Sequence, residues 1–391
     1  MMHDRRMRRL IEIARAGAGV ALALGVVACE PEPEPAPEAW TWELPEGFPE
    51  PYVPPENPMS AAKVELGRHL FYEKRLSVNA TFACASCHDQ ARGFADGKAT
   101  PEGATGDAVP RNSMALVNVA YMPTYTWANP NLLTLEEQAL VPIFGEHPLE
   151  LGATGHEAEI LGRLQEDPLY QGLFADAFPG EGEPFTFTNV AAAIASFERT
   201  LISGDSPYDH YVYGGDAAAV SEGAKRGMAL FFSERMECYH CHGGLNLTAA
   251  FFSAKSKQRE AAFFNNGLYD VDGMGAYPLP NVGLFEHTGV ASDMGRFRAP
   301  SLRNVEVSGP YMHDGSIATL AEVIDFYAAG GREITEGPLA GDGRMNPYKD
   351  PLVRGFEITP EEKQDLLEFL ESFTDEGFLG DPRFGDPFAG G

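Results

Sequence analysis

Two cysteine pairs, each followed directly by a histidine, constrain this sequence more than any other feature. One lies in residues 82–90 (FACASCHDQ) and the other in residues 237–244 (ECYHCHGG). Four of the five cysteines belong to these motifs: Cys84, Cys87, Cys238 and Cys241. In C-x-x-C-H, both thiols can bond to one haem while the adjacent imidazole reaches its iron. The pattern therefore predicts two covalently bound haems c, with His88 and His242 as iron ligands.

Paired cysteines also occur in zinc sites and in redox dithiols. The four thiols could form a zinc cage, but zinc does not need a histidine directly after each pair. A thioredoxin-like dithiol is expected within a βαβ pattern, which surrounds neither motif. Haem attachment is therefore favoured, with the zinc cage as the alternative.

The N-terminus predicts export from the cytoplasm. Four arginines precede residue 10, and a short apolar stretch, residues 16–28, leads to Cys29. This stretch is too short to span a bilayer comfortably and has the order of a secretory signal peptide. The letters VVAC resemble a bacterial lipobox, so residues 1–29 are interpreted as a signal peptide with Cys29 as the lipid-modified residue. An ordinary signal peptide, releasing a soluble periplasmic protein, is the alternative.

Residues 30–58 contain ten prolines and eight glutamates, and such a composition favours an extended, polyproline-like segment. We interpret it as a tether to the membrane, with Trp40 and Trp42 expected to dock on the folded body. The net charge of −28 argues against nucleic acid as a partner and gives no reason to expect anionic lipid headgroups. Membrane contact is therefore expected through the lipid anchor alone.

An internal repeat divides the rest of the chain. Residues 67–75 (GRHLFYEKR) and 227–235 (GMALFFSER) share the pattern G-x-x-L-F-aromatic-x-x-R, and each precedes one haem motif. Similar pairs follow downstream: residues 111–119 with 298–305, and residues 134–142 with 319–327. The repeat predicts two cytochrome c-like haem domains in tandem, residues 59–215 and 216–391.

The predicted fold class is all-α, with long irregular loops. Ser60 can cap a helix that extends through Arg75, and Thr359, Pro360 and Glu362 form the start of another. A further helical face is predicted from four apolar residues: Val190, Ile194, Phe197 and Leu201. No convincing run of alternating strand residues is present.

Tyr327 is a candidate ligand for the second iron. Thr319 and Glu322 resemble a capping box, and the apolar spacing that follows places Tyr327 on the buried face of a helix. A buried phenol needs a partner, which ferric iron or a core carbonyl would provide. Methionine is the commoner sixth ligand in electron-transfer haems, so four methionines compete with it: Met274, Met294, Met312 and Met345.

The first haem is predicted to keep an open face. The repeat aligns Pro142 with Tyr327, and proline has no side-chain donor atom for iron. No histidine occurs between His88 and His147, so hydrogen peroxide could bind there. Gln138 lies one helical turn before Pro142. Glu150, which follows, could transfer a proton between the peroxide oxygens, or could be an ordinary solvated carboxylate.

These motifs resemble the bacterial di-haem cytochrome c peroxidase and MauG superfamily over nearly the whole chain from residue 57. Four segments are most similar to the MbnH family, the di-haem partners of a small copper-binding protein: residues 57–72, 126–130, 140–152 and 310–316. The resemblance implies that His88 holds a high-spin haem and that His242 and Tyr327 hold a six-coordinate one. It also implies a bis-Fe(IV) state formed with peroxide, which an anionic phenolate ligand would help to stabilise.

The resemblance assigns further roles. Trp127 corresponds to a tryptophan that relays electron holes between the haems, with an ordinary core tryptophan as the alternative. Three residues match positions that bind a calcium ion between the domains: Asn112, Ser308 and Pro310. His313 is expected to pack in the core or to contact a propionate. The tryptophan that carries holes to the surface in MauG falls near Met236 here, and Tyr239 is a possible substitute.

Three functions are compatible with these features. The leading one is a peroxide-dependent oxidase that withdraws electrons from a tryptophan on a periplasmic copper-binding protein, giving kynurenine or a similar product. The alternative is a di-haem cytochrome c peroxidase that takes electrons from a small cytochrome or cupredoxin. A membrane-tethered electron carrier is the third, and it requires both irons to be six-coordinate.

Overall fold

The computed structural model describes residues 40–389. The predicted signal peptide, Cys29 and residues 30–39 of the predicted tether lie outside the described residues. Most of the regular structure is helical, in twelve α-helices: α1 Ala61–Tyr72, α2 Leu135–Phe144, α3 Glu157–Gln165, α4 Pro168–Ala177, α5 Phe187–Glu198, α6 Pro207–Val212, α7 Glu222–Phe231, α8 Tyr239–His242, α9 Phe285–Thr288, α10 Leu320–Ala328, α11 Pro360–Glu371 and α12 Glu376–Leu379. The described part therefore agrees with the all-α prediction.

Short 3₁₀ turns and strands occupy the long connections. The turns are Lys74–Leu76, Cys84–Ser86, Gln90–Arg92, Val119–Tyr121, Ala291–Asp293, Val305–Val307 and Gly343–Met345. The strands form two antiparallel pairs: β1 Phe263–Phe264 with β2 Phe297–Arg298, and β3 Glu333–Ile334 with β4 Gly341–Asp342. Each strand has two residues, so the absence of an alternating sequence pattern is explained.

The internal repeat appears as one helix crossing that is used twice. Where α1 crosses α5, a Cβ on Gly67 would lie 1.9 Å from the Ala193 carbonyl oxygen. Where α7 crosses α11, a Cβ on Gly227 would lie 2.0 Å from the Asp365 carbonyl oxygen. Both glycines therefore permit a backbone-to-backbone approach that any side chain would prevent.

We predict that Gly67→Ala destabilises the haem-loaded protein by about 3 kcal/mol, because overpacking at a tight contact is costly and the obstructing atom belongs to the backbone. Gly162→Ala is the matched control. It also lies inside a helix, α3, but a Cβ there would meet nothing within 4 Å. Alanine should stabilise that helix by about 0.8 kcal/mol. Denaturant unfolding of both variants measures the difference, and equal stabilities would contradict the prediction.

Three apolar clusters fill the interior. The cluster at the α1–α5 crossing includes Leu66, Leu70, Phe71, Phe94, Phe174, Ile194 and Phe197. The cluster at the α7–α11 crossing includes Tyr208, Phe231, Leu366, Phe369 and Phe373. The third cluster, called here the aromatic cluster, comprises Trp127, Ala128, Leu268, Tyr269, Tyr277, Phe297, Ile317 and Phe326. The two crossings thus have separate cores, and the predicted boundary after residue 215 falls in the connection between α6 and α7.

The predicted helix caps are present, but one helix is shorter than predicted. Ser60 accepts a hydrogen bond from the Lys63 amide, and Thr359 forms a capping box with Glu362. Helix α1 ends at Tyr72 instead of Arg75. The reason is that Glu73 adopts an extended conformation, in which its carboxylate accepts hydrogen bonds from the backbone and side chain of Arg75.

The second half of the predicted tether belongs to the folded body. Residues 40–58 lack regular secondary structure, as predicted, but Phe48 and Asn57 are buried. The Tyr121 hydroxyl donates to the Pro49 carbonyl at 2.8 Å, and Asn57 Nδ2 donates to the Ala192 carbonyl at 2.9 Å. The predicted tether, residues 30–58, is therefore too long, because residues 40–58 contact the folded body through apolar and hydrogen-bonding groups between their prolines. None of the helices between residues 40 and 389 is long and apolar enough to cross a bilayer.

Candidate functional site

The first C-x-x-C-H motif orients its histidine for metal binding. His88 is half-buried beside Phe71, and its Nδ1–H donates to the Phe94 carbonyl oxygen at 2.7 Å. Burial lowers the pKa of His88, so the imidazole is neutral. Because Nδ1 carries the proton, Nε2 presents its lone pair, which is the arrangement of a histidine that ligates iron.

The thiols of both motifs are protonated. Burial raises the pKa of Cys84, and it raises the pKa of Cys87 to about 11. Burial also raises the pKa of Cys238 and Cys241 to about 12 each. Thiolates are the form that zinc and redox dithiols use. The raised pKa values therefore disfavour a redox dithiol, which needs a thiolate.

The zinc cage is not formed. Within residues 40–389, one group of three or more metal-binding side chains has its ligand atoms within 4.8 Å of one another: Glu234, Glu237 and His240. This group contains no cysteine, so the four thiols do not converge.

A cavity of about 850 Å³ adjoins the first motif. Cys84, Cys87 and His88 line it. Four residues that the sequence singled out line it as well: Trp127, Gln138, Pro142 and Glu150. This volume suits a large cofactor. The residues needed for a haem, namely two thiols and a neutral imidazole, are thus grouped at a cavity of suitable size.

Helix α2 provides one wall of this cavity. Thr134 and Glu137 form its capping box, and both Glu136 carboxylate oxygens accept hydrogen bonds of 2.6 Å from Arg199, which follows α5. Pro142 lies inside the helix and has no N–H, so the Gln138 carbonyl lacks its helical partner there. The ion pair therefore fixes the helix that presents Gln138 and Pro142 to the cavity.

Glu150 is half-buried at the cavity wall and is not the solvated carboxylate of the alternative interpretation. Burial raises the pKa of Glu150. Its negative charge also contributes to the raised pKa of Cys84 and Cys87, so the carboxylate lies near the first motif. A carboxylate with a raised pKa beside an open cavity is suited to accept and return a proton.

The second motif has a similar histidine. His242 ends helix α8, and its Nδ1–H donates to the Leu247 carbonyl oxygen at 3.3 Å. Burial lowers the pKa of His242 to about 4, so this imidazole is also neutral with Nε2 available. In both motifs, the histidine is therefore held by a backbone carbonyl at Nδ1 and has Nε2 free to bind iron.

Tyr327 lies near the second motif. It is on α10, which the Thr319 and Glu322 capping box begins, and it packs against the aromatic cluster. Burial raises the pKa of Tyr327 to about 12, and the Cys241 and Cys238 thiols contribute to this rise. Among the competing methionines, Met274 and Met345 are 70% and 74% exposed, whereas Met294 and Met312 pack against the same cluster as Tyr327.

Trp127 is shared by the cavity and the aromatic cluster. It lines the cavity beside His88 and also belongs to the aromatic cluster against which Tyr327 packs. Its indole N–H donates to the Asn112 carbonyl at 2.8 Å, and its own carbonyl accepts from the Arg298 amide at 2.8 Å. The first bond fixes the orientation of the indole, and the second fixes the backbone that carries it.

The three residues of the predicted calcium site line the same cavity. The amide of Asn112 donates to the His313 carbonyl at 2.9 Å, and its Nδ2 donates to the Lys98 carbonyl at 2.8 Å. The carbonyls of Ser308 and Pro310 accept no backbone hydrogen bond from any described residue. Free carbonyl oxygens are the ligands that calcium prefers, so these residues fit such an ion.

Arg298, which the sequence did not single out, also lines the cavity. Its guanidinium is buried and has no carboxylate partner among the described residues; it donates to the Thr126 carbonyl at 3.3 Å. Burial lowers the pKa of Arg298 to about 10. Such a cation requires an anionic partner, and a haem propionate would supply one. The signal in the sequence was its place at the start of the repeat segment 298–305, where it aligns with Arg111.

The structure also places three further residues that the sequence singled out: His313, Met236 and Tyr239. His313 is buried and stacks on Phe297, with ring centroids 3.7 Å apart. Met236 is buried, and the half-exposed Tyr239 donates its hydroxyl proton to Glu234 at 2.6 Å. Tyr239 is therefore near the surface beside the second motif.

Comparisons with known proteins identify the family of this chain. The model of the di-haem cytochrome c peroxidase family matches residues 61–217. The methylamine utilization protein MauG of Methylorubrum extorquens is 32% identical over 332 residues, covering 85% of this chain and 83% of that protein. Cytochrome c551 peroxidase of Pseudomonas aeruginosa is 30% identical over 318 residues, covering 81% and 80%.

One solved structure is similar to this chain over almost the full length of that structure. It is that of a MauG-like protein associated with microbial copper homeostasis, with 50% sequence identity and a TM-score of 0.87. The match covers 89% of this chain and 99% of that one.

Proposed function

Because the chain belongs to the di-haem cytochrome c peroxidase and MauG family of oxidoreductases, we propose that it uses hydrogen peroxide to oxidise a tryptophan on a partner protein. Two haems c, one attached at Cys84 and Cys87 and one at Cys238 and Cys241, would supply the redox chemistry of peroxide reduction and long-range electron transfer. His88 and His242 would be their histidine ligands, and Arg298 would pair with a propionate.

The observation that carries this proposal is a difference between two otherwise similar sites. Beside the first motif, the residue at the repeat position is Pro142, which has no donor atom and lines a large cavity. Beside the second, it is Tyr327, whose phenol lies near Cys238 and Cys241. We infer that peroxide binds at the first site and that the phenol closes the second.

Glu150 and Gln138 would handle peroxide in the cavity. A peroxide molecule must lose a proton from one oxygen and gain one on the other as the O–O bond breaks. Glu150 would accept the first proton and return it to the departing oxygen. Gln138, one turn before Pro142 on α2, would orient the peroxide by donating a hydrogen bond.

We predict that Glu150→Gln slows the reaction with peroxide by about 100- to 10,000-fold, because the amide cannot accept and return a proton. The carboxylate form is the active one. The wild-type rate should therefore fall as the pH decreases through the pKa of Glu150, which burial raises above its usual range. Stopped-flow mixing with peroxide across a pH series measures both effects. A variant with the wild-type rate and pH profile would exclude Glu150 from this role.

Trp127 and calcium would connect the two haem sites. We infer that Trp127 carries electron holes between them, since it contacts both the cavity and the aromatic cluster. Asn112, Ser308 and Pro310 would bind calcium through oxygen atoms. Because the indole donates to the Asn112 carbonyl, an ion there would also fix Trp127.

The partner is proposed to be a periplasmic copper-binding protein. Support comes from the 50% identity to a MauG-like protein associated with microbial copper homeostasis. We further propose that residues 59–215 and 216–391 are two cytochrome c-like domains. A lipid on Cys29 would hold the protein at the periplasmic face of a bacterial membrane.

Mass spectrometry of the partner tests this function. The haem-loaded enzyme is incubated with the copper-binding protein encoded nearest to its gene and with peroxide, and the partner is digested and weighed. The proposal expects added oxygen on one tryptophan, and a partner of unchanged mass while peroxide is consumed would contradict it. Rapid oxidation of a small cytochrome or cupredoxin in the same assay would instead identify a cytochrome c peroxidase. The Pseudomonas aeruginosa relative is named as a peroxidase of this kind.

A further inference from the structure

A second carboxyl group, Glu198, lies at the wall of the first haem cavity. It is the last residue of α5 and is 5% exposed, and Ile194, one turn before it, lines the same cavity. Its Oε2 is buried and accepts no hydrogen bond from any residue between 40 and 389. A buried carboxyl with a free oxygen is costly and needs a physical reason.

The charged and titratable neighbours of Glu198 do not neutralise it. Arg199, the next residue, directs its Nη2 to both oxygens of Glu136 on α2, at 2.6 Å each. The Glu136 carboxylate adds a negative charge nearby. Tyr125, from the loop after Val119–Tyr121, and Cys84, from the first motif, are the other titratable groups that its charge affects. Neither carries a positive charge that could balance a Glu198 carboxylate.

The internal repeat shows that the haem fold does not require this acid. At the two equivalent crossings, Phe197 and Phe369 each lie 2.9 Å from the Cβ position of the crossing glycine. The next residue is Glu198 in the first module and Leu370 in the second, and both are buried. The module with the open cavity therefore has a carboxyl group where its twin, closed by Tyr327, has an apolar side chain.

We propose that Glu198 is a proton donor to the peroxide cavity, distinct from Glu150; this rests on the proposed reaction with peroxide. Reducing H₂O₂ to two waters consumes two electrons and two protons. The partner protein supplies the two electrons as it is oxidised. Glu150 moves a proton already present on peroxide and adds none. Glu198 would supply one of the two protons by breaking its O–H bond, and the resulting carboxylate would then take a proton from solvent water.

The electrostatic environment supports this role. Burial raises the pKa of Glu198 to about 8, with Glu136 adding to the rise and Arg199 opposing it. Below that pH the group is a neutral acid and holds a proton, and above it the proton is lost. Glu198 therefore carries its proton at neutral pH and loses it as the pH rises through about 8. Glu150 has the opposite dependence, because it gains a proton as the pH falls and can then no longer accept one from peroxide.

Infrared spectroscopy of the haem-loaded protein tests the proposal without relying on activity. At pH 7, the wild type should show the carbonyl stretch of a protonated carboxylic acid, which shifts in D₂O. Glu198→Gln should lose this band. Glu198→Leu introduces the residue type found at the equivalent position of the second module, Leu370. This variant should also lose the carboxylic acid band, and it should keep its haem. Glu73→Gln is the control: Glu73 is also buried, but its pKa is lowered by Arg75, so it contributes no such band.

Peroxide kinetics provide the second readout. In the wild type, the turnover rate should fall as the pH rises through about 8, and Glu198→Gln should be at least about 10-fold slower at pH 7 and lack that decrease. An acid band that persists in both Glu198 variants, or an unchanged pH profile, would overturn the proposal. A wild type that shows the band but does not consume peroxide would instead contradict the proposed function.

Discussion

Tyr327→Phe is expected to abolish peroxide-dependent oxidation of the partner protein while leaving the fold intact. Phenylalanine keeps the ring that packs against the aromatic cluster but cannot coordinate iron. Loss of a residue that only supports a metal ligand typically costs about 10- to 100-fold, so loss of the ligand itself should lower the rate by more than about 100-fold. The rate of mass gain by the partner measures the effect.

Tyr277→Phe is the matched control for this substitution. Tyr277 belongs to the aromatic cluster, and its hydroxyl donates to Asn265 at 2.9 Å. The same hydroxyl accepts a hydrogen bond from the buried Leu268 amide at 3.1 Å, so its loss should cost about 2 to 3 kcal/mol of stability. The reaction of the folded protein should remain intact. If both variants oxidised the partner at the wild-type rate, Tyr327 would be a packing residue.

Pro142→Met is expected to close the first haem to peroxide. Methionine provides the thioether that commonly acts as the sixth haem ligand, and it also restores the N–H that proline lacks in α2. Helix α2 should therefore not be weakened. We expect the reaction with peroxide to slow by at least about 100-fold, which corresponds to about 2.7 kcal/mol in the activation barrier.

Pro142→Ala separates coordination from the helix effect. Alanine restores the same N–H but has no donor atom, so this variant should keep the high-spin spectrum that Pro142→Met loses. Absorption spectra of both variants, followed by stopped-flow mixing with peroxide, measure the outcome. A Pro142→Met protein that stays high-spin would show that residue 142 does not face the iron.

The fold was predictable where the signal was local or repeated. The glycine at the start of each repeat, Gly67 or Gly227, marks a helix crossing, and the caps at Ser60 and Thr359 begin the helices that cross. The end of α1 was not predictable, because an ion pair between Glu73 and Arg75 decides it. The docking of residues 40–58 depends on contacts more than 70 residues away, such as Tyr121 to Pro49, which no local pattern encodes.

The candidate site was predictable where residue type determines chemistry. The two C-x-x-C-H motifs specify cysteines and histidines directly, and the repeat identified Pro142 and Tyr327 as equivalent positions. Glu198 and Arg298 were missed because a carboxylate or guanidinium in a sequence is usually exposed. Only their burial makes these two unusual, Glu198 with an unpaired oxygen and Arg298 with no carboxylate partner among the described residues. For Glu198, the repeat did contain a signal, since its counterpart Leu370 is apolar.

Electron paramagnetic resonance of the resting, fully oxidised protein tests the central claim most directly. Our account predicts one high-spin ferric haem and one low-spin ferric haem in equal amounts, with the low-spin signal changed by Tyr327→Phe and the high-spin signal unchanged. Two low-spin haems, or a low-spin signal unaffected by that substitution, would contradict it.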